Sequence, residues 1–130
     1  MKILCLLSNK TDSFLSFKSF SLNQGRTVLN CESAGPDFCG ILFECKSEIL
    51  PHKNFFEGEF EYIILPYLSE LNETEETKLL KIKFRARMRD DVLQFHTFPE
   101  INNNTIFECI PVHYNWGKRE SEALLVFREK

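Results

Sequence analysis

From Leu80 to Arg89 apolar and basic residues alternate without a break, with Leu80, Ile82, Phe84, Ala86 and Met88 on one side and Lys81, Lys83, Arg85, Arg87 and Arg89 on the other. A period of two is the pattern of a strand with one buried face. Residues 55–65 repeat it with the opposite charge: Phe56, Gly58, Phe60, Tyr62 and Ile64 share one face, Glu57, Glu59 and Glu61 the other. Elsewhere short runs rich in Val, Ile, Phe and Tyr are separated by Gly, Pro, Asn and Asp clusters. This predicts strands near 2–8, 26–31, 38–46, 55–65, 78–89, 92–98, 105–116 and 122–129. Turn signals stand at "NQG" (23–25), "AGPD" (34–37), "RDD" (89–91), "PEINNN" (99–104) and "WGKRES" (116–121), the last reading as a hairpin. "SFLSFKSF" (13–20) is open between a short helix and an irregular strand, because Phe14, Phe17 and Phe20 recur every three residues. The expectation is a mainly β fold, a single-domain antiparallel sandwich or partly open barrel of seven or eight strands over residues 1–130, with room for one short helix near 12–20.

The two alternating segments fit each other as an antiparallel pair. With paired residue numbers adding to 144, Glu61 faces Lys83, Glu59 faces Arg85 and Glu57 faces Arg87. On the other face Ile64 meets Leu80, Tyr62 meets Ile82, Phe60 meets Phe84, Gly58 meets Ala86 and Phe56 meets Met88. A slip of one residue would turn a row of charges into the core, whereas a slip of two keeps the faces but loses some pairs. Exposed ion pairs add little stability, so their value here is to specify the pairing. The connection over 66–78 is acidic, with Pro66 ending the first strand.

Charge sharpens this picture. The chain is nearly neutral, at −3 over 130 residues, so nothing global pulls it toward nucleic acid or membrane. Locally, residues 51–77 carry a net −6 and residues 78–89 a net +6. A phosphate-reading surface leaves its cations free and interleaves aromatic residues on the same face. Here the aromatics fall on the opposite face, and glutamates compensate most of the basic row.

Thirteen Phe among 43% hydrophobic residues supply a core without staples. "KILCLL" reads as a first buried strand, because the apolar run Ile3–Leu7 is shorter than the ~7–15 residues of a signal-peptide core. No apolar run reaches membrane-spanning length. The expected setting is therefore soluble, cytoplasmic and without a membrane. In that setting Cys5, Cys31, Cys39, Cys45 and Cys109 are free thiols, mostly buried. The Asn-x-Thr triplets at Asn9, Asn72 and Asn103 carry no glycan there.

Four constellations bear on chemistry. Pro36-Asp37 followed by Glu44-x-Lys46 is similar to the PD-(D/E)xK nuclease signature, whose carboxylates and lysine imply metal-dependent hydrolysis. Here Asp37 and Glu44 fall near opposite ends of one predicted strand, roughly 20 Å apart. Cys39, Cys45, His52, Cys109 and His113 are zinc-type ligands, but they lack the tight CxxC pairs of structural sites. His96-Thr97 and His113 are similar to the paired His-x-Thr of two-histidine phosphoesterases, but Thr97 directly follows His96 and Tyr114-Asn115 follows His113; a half-buried, satisfied histidine is the ordinary reading of each. "HYNWGKRE" (113–120) holds the single Trp with Tyr114 and two cations, which fits either core placement or a binding edge.

With no complete catalytic set and no cofactor loop, the leading expectation is a non-catalytic protein-binding module of the adaptor, immunity or antagonist type. It needs no cofactor, and its candidate contacts are Lys81, Arg85, Arg87, Arg89, Tyr114, Trp116, Lys118 and Arg119. Two alternatives stand beside it: a nucleic-acid-binding β-barrel using the basic strand, and a metal-dependent hydrolase using Asp37, Glu44 and Lys46. An edge strand also offers a route to a homodimer.

Overall fold

The computed structural model describes residues 1–23, 26–47, 56–66, 77–102 and 106–130. Residues 55 and 105, the acidic connection over 67–76, and turn residues 24–25 and 103–104 lie outside the described residues. Among the described residues there are nine strands and no helix. They are β1 (Lys2–Asn9), β2 (Phe14–Leu22), β3 (Arg26–Cys31), β4 (Cys39–Ser47), β5 (Phe56–Leu65), β6 (Lys78–Arg89), β7 (Val92–Ile101), β8 (Phe107–Trp116) and β9 (Glu120–Glu129). One sheet has the order β3-β4-β1-β9-β8 and the other β2-β5-β6-β7. They pack as a sandwich that is not closed into a barrel. Pairing is antiparallel except between β1 and β9, which run parallel at the centre of the first sheet.

The ninth strand is the ambiguous segment. Residues 14–22 are strand β2, not helix, and a bulge at Lys18 accounts for the spacing of the phenylalanines. Leu15 opposes Ile64 and Phe17 opposes Tyr62, then one residue is skipped and Phe20 opposes Phe60. The extra residue returns Phe20 to the inner face that Phe17 occupies. Phe14, opposite Leu65, points outward.

The β5–β6 pair forms with the expected faces but slipped by two residues, so that paired numbers add to 142. Glu61 faces Lys81, Glu59 faces Lys83 and Glu57 faces Arg85. Charge does not distinguish the two registers, since each gives three acid–base pairs. Core shape does. In the observed register Gly58 stands opposite Phe84, and Ala86 stands opposite Phe56, so each small residue meets a large one. The Phe84 ring then lies 5.7 Å from the Phe56 ring and 6.2 Å from that of Phe60. The expected register would have set Gly58 against Ala86 and left a void. Gly58 is also required by β2, because a Cβ there would lie 2.5 Å from the Ser21 carbonyl oxygen.

Between the layers Phe43 of β4 stacks on Phe60 of β5, with centroids 3.9 Å apart and planes 8° from parallel. The turn after β6 is a two-residue hairpin with Asp90 and Asp91 both at positive φ, 54° and 61°, as a type I′ turn demands.

Each of the four sheet edges carries a feature that hinders further pairing. On β7, Leu93 N–H donates to the Gly117 carbonyl at 2.8 Å, and the Leu93 carbonyl accepts from Ser121 Oγ. The Phe95 carbonyl accepts from Trp116 Nε1 at 2.8 Å, and Thr97 N–H donates to the Tyr114 hydroxyl at 3.1 Å. Pro99 next along the strand has no N–H to offer. The β8 edge has Pro111 and a bulge at Val112, β3 a bulge at Leu29, and β2 the bulge at Lys18. Between β2 and the segment after β3 the two sheets meet at the isolated bridge of Leu15 to Ala34, and Phe17 N–H donates to Ser33 Oγ at 3.0 Å.

Candidate functional site

The outer face of β2, β5, β6 and β7 is built from the polar positions of the alternation. Its rows run across the strands as Ser19–Glu61–Lys81–Glu100, Ser21–Glu59–Lys83–Phe98 and Glu57–Arg85–His96. Arg87 faces Gln94, and Arg89 faces Val92 beside the turn. Four ion pairs lace these rows: Arg85 to Glu57 at 3.3 Å, Lys81 to Glu61 at 3.4 Å, Lys18 to Glu61 at 3.5 Å and Lys83 to Glu100 at 3.6 Å. The basic strand is thus neutralised by its neighbours on both sides, with Glu100 of β7 serving alongside the glutamates of β5.

This face is concave. A groove of about 690 Å³ runs between Ser21 and Asn23 on one wall and Phe98 and Glu100 on the other, with Glu59 and Lys83 between them. A smaller hollow of about 200 Å³ continues from Glu100 toward Asn102. Phe98 is the apolar anchor of the face, with 54% of its surface exposed among charged neighbours. At the border with β8, the His96 ring packs edge-on against Trp116 at 4.9 Å and Tyr114 at 5.6 Å.

The sequence-derived contact residues fall on one side of the molecule in three groups. Arg85 adjoins His96, and through it Tyr114 and Trp116, with Arg87 one row on. Lys81 lies toward the opposite end of the ladder. Arg89, Lys118 and Arg119 stand at neighbouring hairpin turns, which the Leu93–Gly117 hydrogen bond brings together. Tyr114 and Trp116 are half-buried, and their polar atoms cap the β7 edge. Their part in the face is the ring surface left beside His96.

Phe98, Glu59 and Glu100 were not among the candidates. The signal was present: along β7 the outward positions read Gln94, His96, Phe98, Glu100, so Phe98 is the apolar exception on a polar face.

The other constellations are dispersed. Asp37 sits at positive φ in the turn before β4. Glu44 lies toward the far end of that strand, ion-paired to Lys2 at 3.1 Å. Glu120 and Glu44 together raise the Lys2 pKa. Cys5, Cys45 and Cys109 are core residues, while Cys39 is exposed and Cys31 half-buried. His52 lies outside the described residues, among which no three His, Cys, Asp or Glu side chains gather as for a metal. His96 and His113 are both exposed, not half-buried. Asn9 is a buried structural residue whose amide is fully engaged, whereas Asn72 and Asn103 lie outside the described residues. No described helix is long and apolar enough to cross a membrane.

Burial raises the Cys45 and Cys109 thiols from the ordinary 9.0 to about 12, and enclosure pushes Cys5 up as well. The unfolded chain therefore loses these protons first. Stability that is complete below about pH 9 declines as pH rises toward the folded values. At pH 9.5 the expected loss is about 0.8 kcal/mol for each of Cys45 and Cys109, read as a lower urea midpoint. At about pH 8 a thiol reagent should modify Cys39 in the native protein, and Cys5, Cys45 and Cys109 only on unfolding. Rapid native reaction of all five would contradict this core.

No model of a known protein family matches the chain, and no curated protein does.

Proposed function

We propose that this protein is a small intracellular, non-catalytic binding module that holds another protein through the outer face of β2, β5, β6 and β7. The observation that carries the reading is Phe98, a half-exposed aromatic ring set in a groove of about 690 Å³ and ringed by Glu59, Lys83, Arg85 and Glu100. An apolar anchor inside a charged rim is the arrangement of interface hot spots. Two further features support it. The guarded sheet edges favour recognition by a face over strand addition. The internal ion pairs leave little free positive potential for a phosphate backbone, which speaks for a protein partner over nucleic acid.

The test is capture of partners from the native cell on immobilised wild type, Phe98→Asp, and Arg85→Glu with Arg87→Glu. Phe98→Asp is expected to weaken the captured complex at least tenfold, and the double reversal to change its salt dependence. If both variants fold and keep every partner, the face is not the contact surface. Retention of wild type on single-stranded DNA or RNA that falls steeply with salt would replace this reading with nucleic-acid binding.

A further inference from the structure

The next step rests on the binding-face reading and concerns what the partner brings to it. Among the described residues three carboxylates, Glu57, Glu59 and Glu100, and two cations, Lys83 and Arg85, line the groove. Arg85 is tied to Glu57 and Lys83 to Glu100. Glu59 is half-buried between Ser21 and Lys83, and no ion pair reaches its carboxylate from the described residues. Should Lys83 swing from Glu100 to Glu59, Glu100 would be left instead. Among the described residues the groove keeps one carboxylate in excess in either arrangement, and a concave wall with that excess draws a cation from outside.

Glu59 and Phe98 stand in the same row, separated by the β6 strand. Two interstrand spacings place them about 10 Å apart, which a chain in the extended polyproline II conformation covers in about three residues while returning its side chains to the same face. We infer that the partner presents an extended segment with an Arg or Lys whose charge settles on Glu59, and with an apolar side chain three residues away that packs on Phe98.

The experiment is selection from a phage-displayed random peptide library on the full chain, in parallel on Glu59→Gln and Phe98→Ser. Wild type should enrich peptides that carry Arg or Lys three residues from an apolar residue. A synthetic peptide of that sequence should bind Glu59→Gln about threefold to fivefold more weakly, with a shallower salt dependence, and Phe98→Ser at least tenfold more weakly. Enriched peptides that need Phe98 but carry no basic residue, or that bind Glu59→Gln as well as wild type, overturn the cation site and leave the face standing. Peptides indifferent to both substitutions, or no enrichment at all, overturn the face as well. Both substitutions are at the surface, and unchanged circular dichroism keeps misfolding from passing as lost binding.

Discussion

Phe60→Ala should lower the free energy of unfolding by about 3–5 kcal/mol, a large part of the ~5–15 kcal/mol that holds a domain of this kind together. The Phe60 ring is fully buried and stacks on Phe43 of the opposite sheet at 3.9 Å. On its own sheet it touches Phe84 at 6.2 Å and Phe20 at 5.8 Å. Truncation removes the apolar transfer term and leaves a cavity between two hydrogen-bonded sheets, which collapse poorly because backbone ladders fix their spacing. Phe20→Ala is the internal control. That ring lies on the same face but is 50% exposed, so its loss should cost about 1 kcal/mol. Urea unfolding with an unchanged slope gives both numbers. Equal, small effects at the two positions would mean that the layers do not meet through Phe60.

Strand positions were legible because each strand buries one face, and that constraint writes a period of two into the sequence. β5 and β6 show it most plainly, since their polar positions are also charged. Register was legible only modulo two. Alternation fixes which residues face inward, but the choice between slips of two rests on core shape, with Gly58 opposite Phe84 and Ala86 opposite Phe56, which no pairwise list of charges contains. β2 was hidden for a related reason, because its bulge at Lys18 replaces a period of two by an apparent period of three.

The candidate face was half legible. Its charges follow from the two alternating segments alone. The meeting of Arg85 with His96, and of His96 with Tyr114 and Trp116, depends on β7 and β8 lying side by side in different sheets. That adjacency is created by side chains capping a strand edge, which leaves no local trace. Tyr114 and Trp116 could be recognised as amphipathic residues seeking both apolar contact and a hydrogen-bond acceptor or donor, but not which strand supplies it.

The second large effect is expected at Asn9, which is 1% exposed at the end of β1. Its amide nitrogen donates to the carbonyls of Ser13 at 2.9 Å, Ala34 at 3.3 Å and Gly35 at 2.9 Å. Its Oδ1 accepts from Thr11 N–H at 3.0 Å and from the Thr11 hydroxyl at 2.8 Å. The residue thereby knots the turn before β2 to the segment that carries the Leu15–Ala34 bridge, on the side where Phe17 N–H also donates to Ser33 Oγ at 3.0 Å. Asn9→Asp keeps the shape and the acceptor but turns an oxygen toward three carbonyl oxygens. Burial and those dipoles raise the folded-state pKa of the new carboxyl above its unfolded value of about 3.9. A raised pKa means the folded state binds the proton more tightly, so the variant loses stability as pH rises through the interval between the two values. Near pH 3.5 the protonated acid restores one donor, and the deficit against wild type at the same pH should be about 1–2 kcal/mol. At pH 7 the buried charge should increase it to about 3–5 kcal/mol. Asn9→Ala separates the causes: it leaves the same carbonyls unsatisfied without a titrating group, so its deficit should stay constant with pH. A deficit for Asn9→Asp that is equally flat would show that water reaches the knot, and that the sheets on this side are held by something other than this amide.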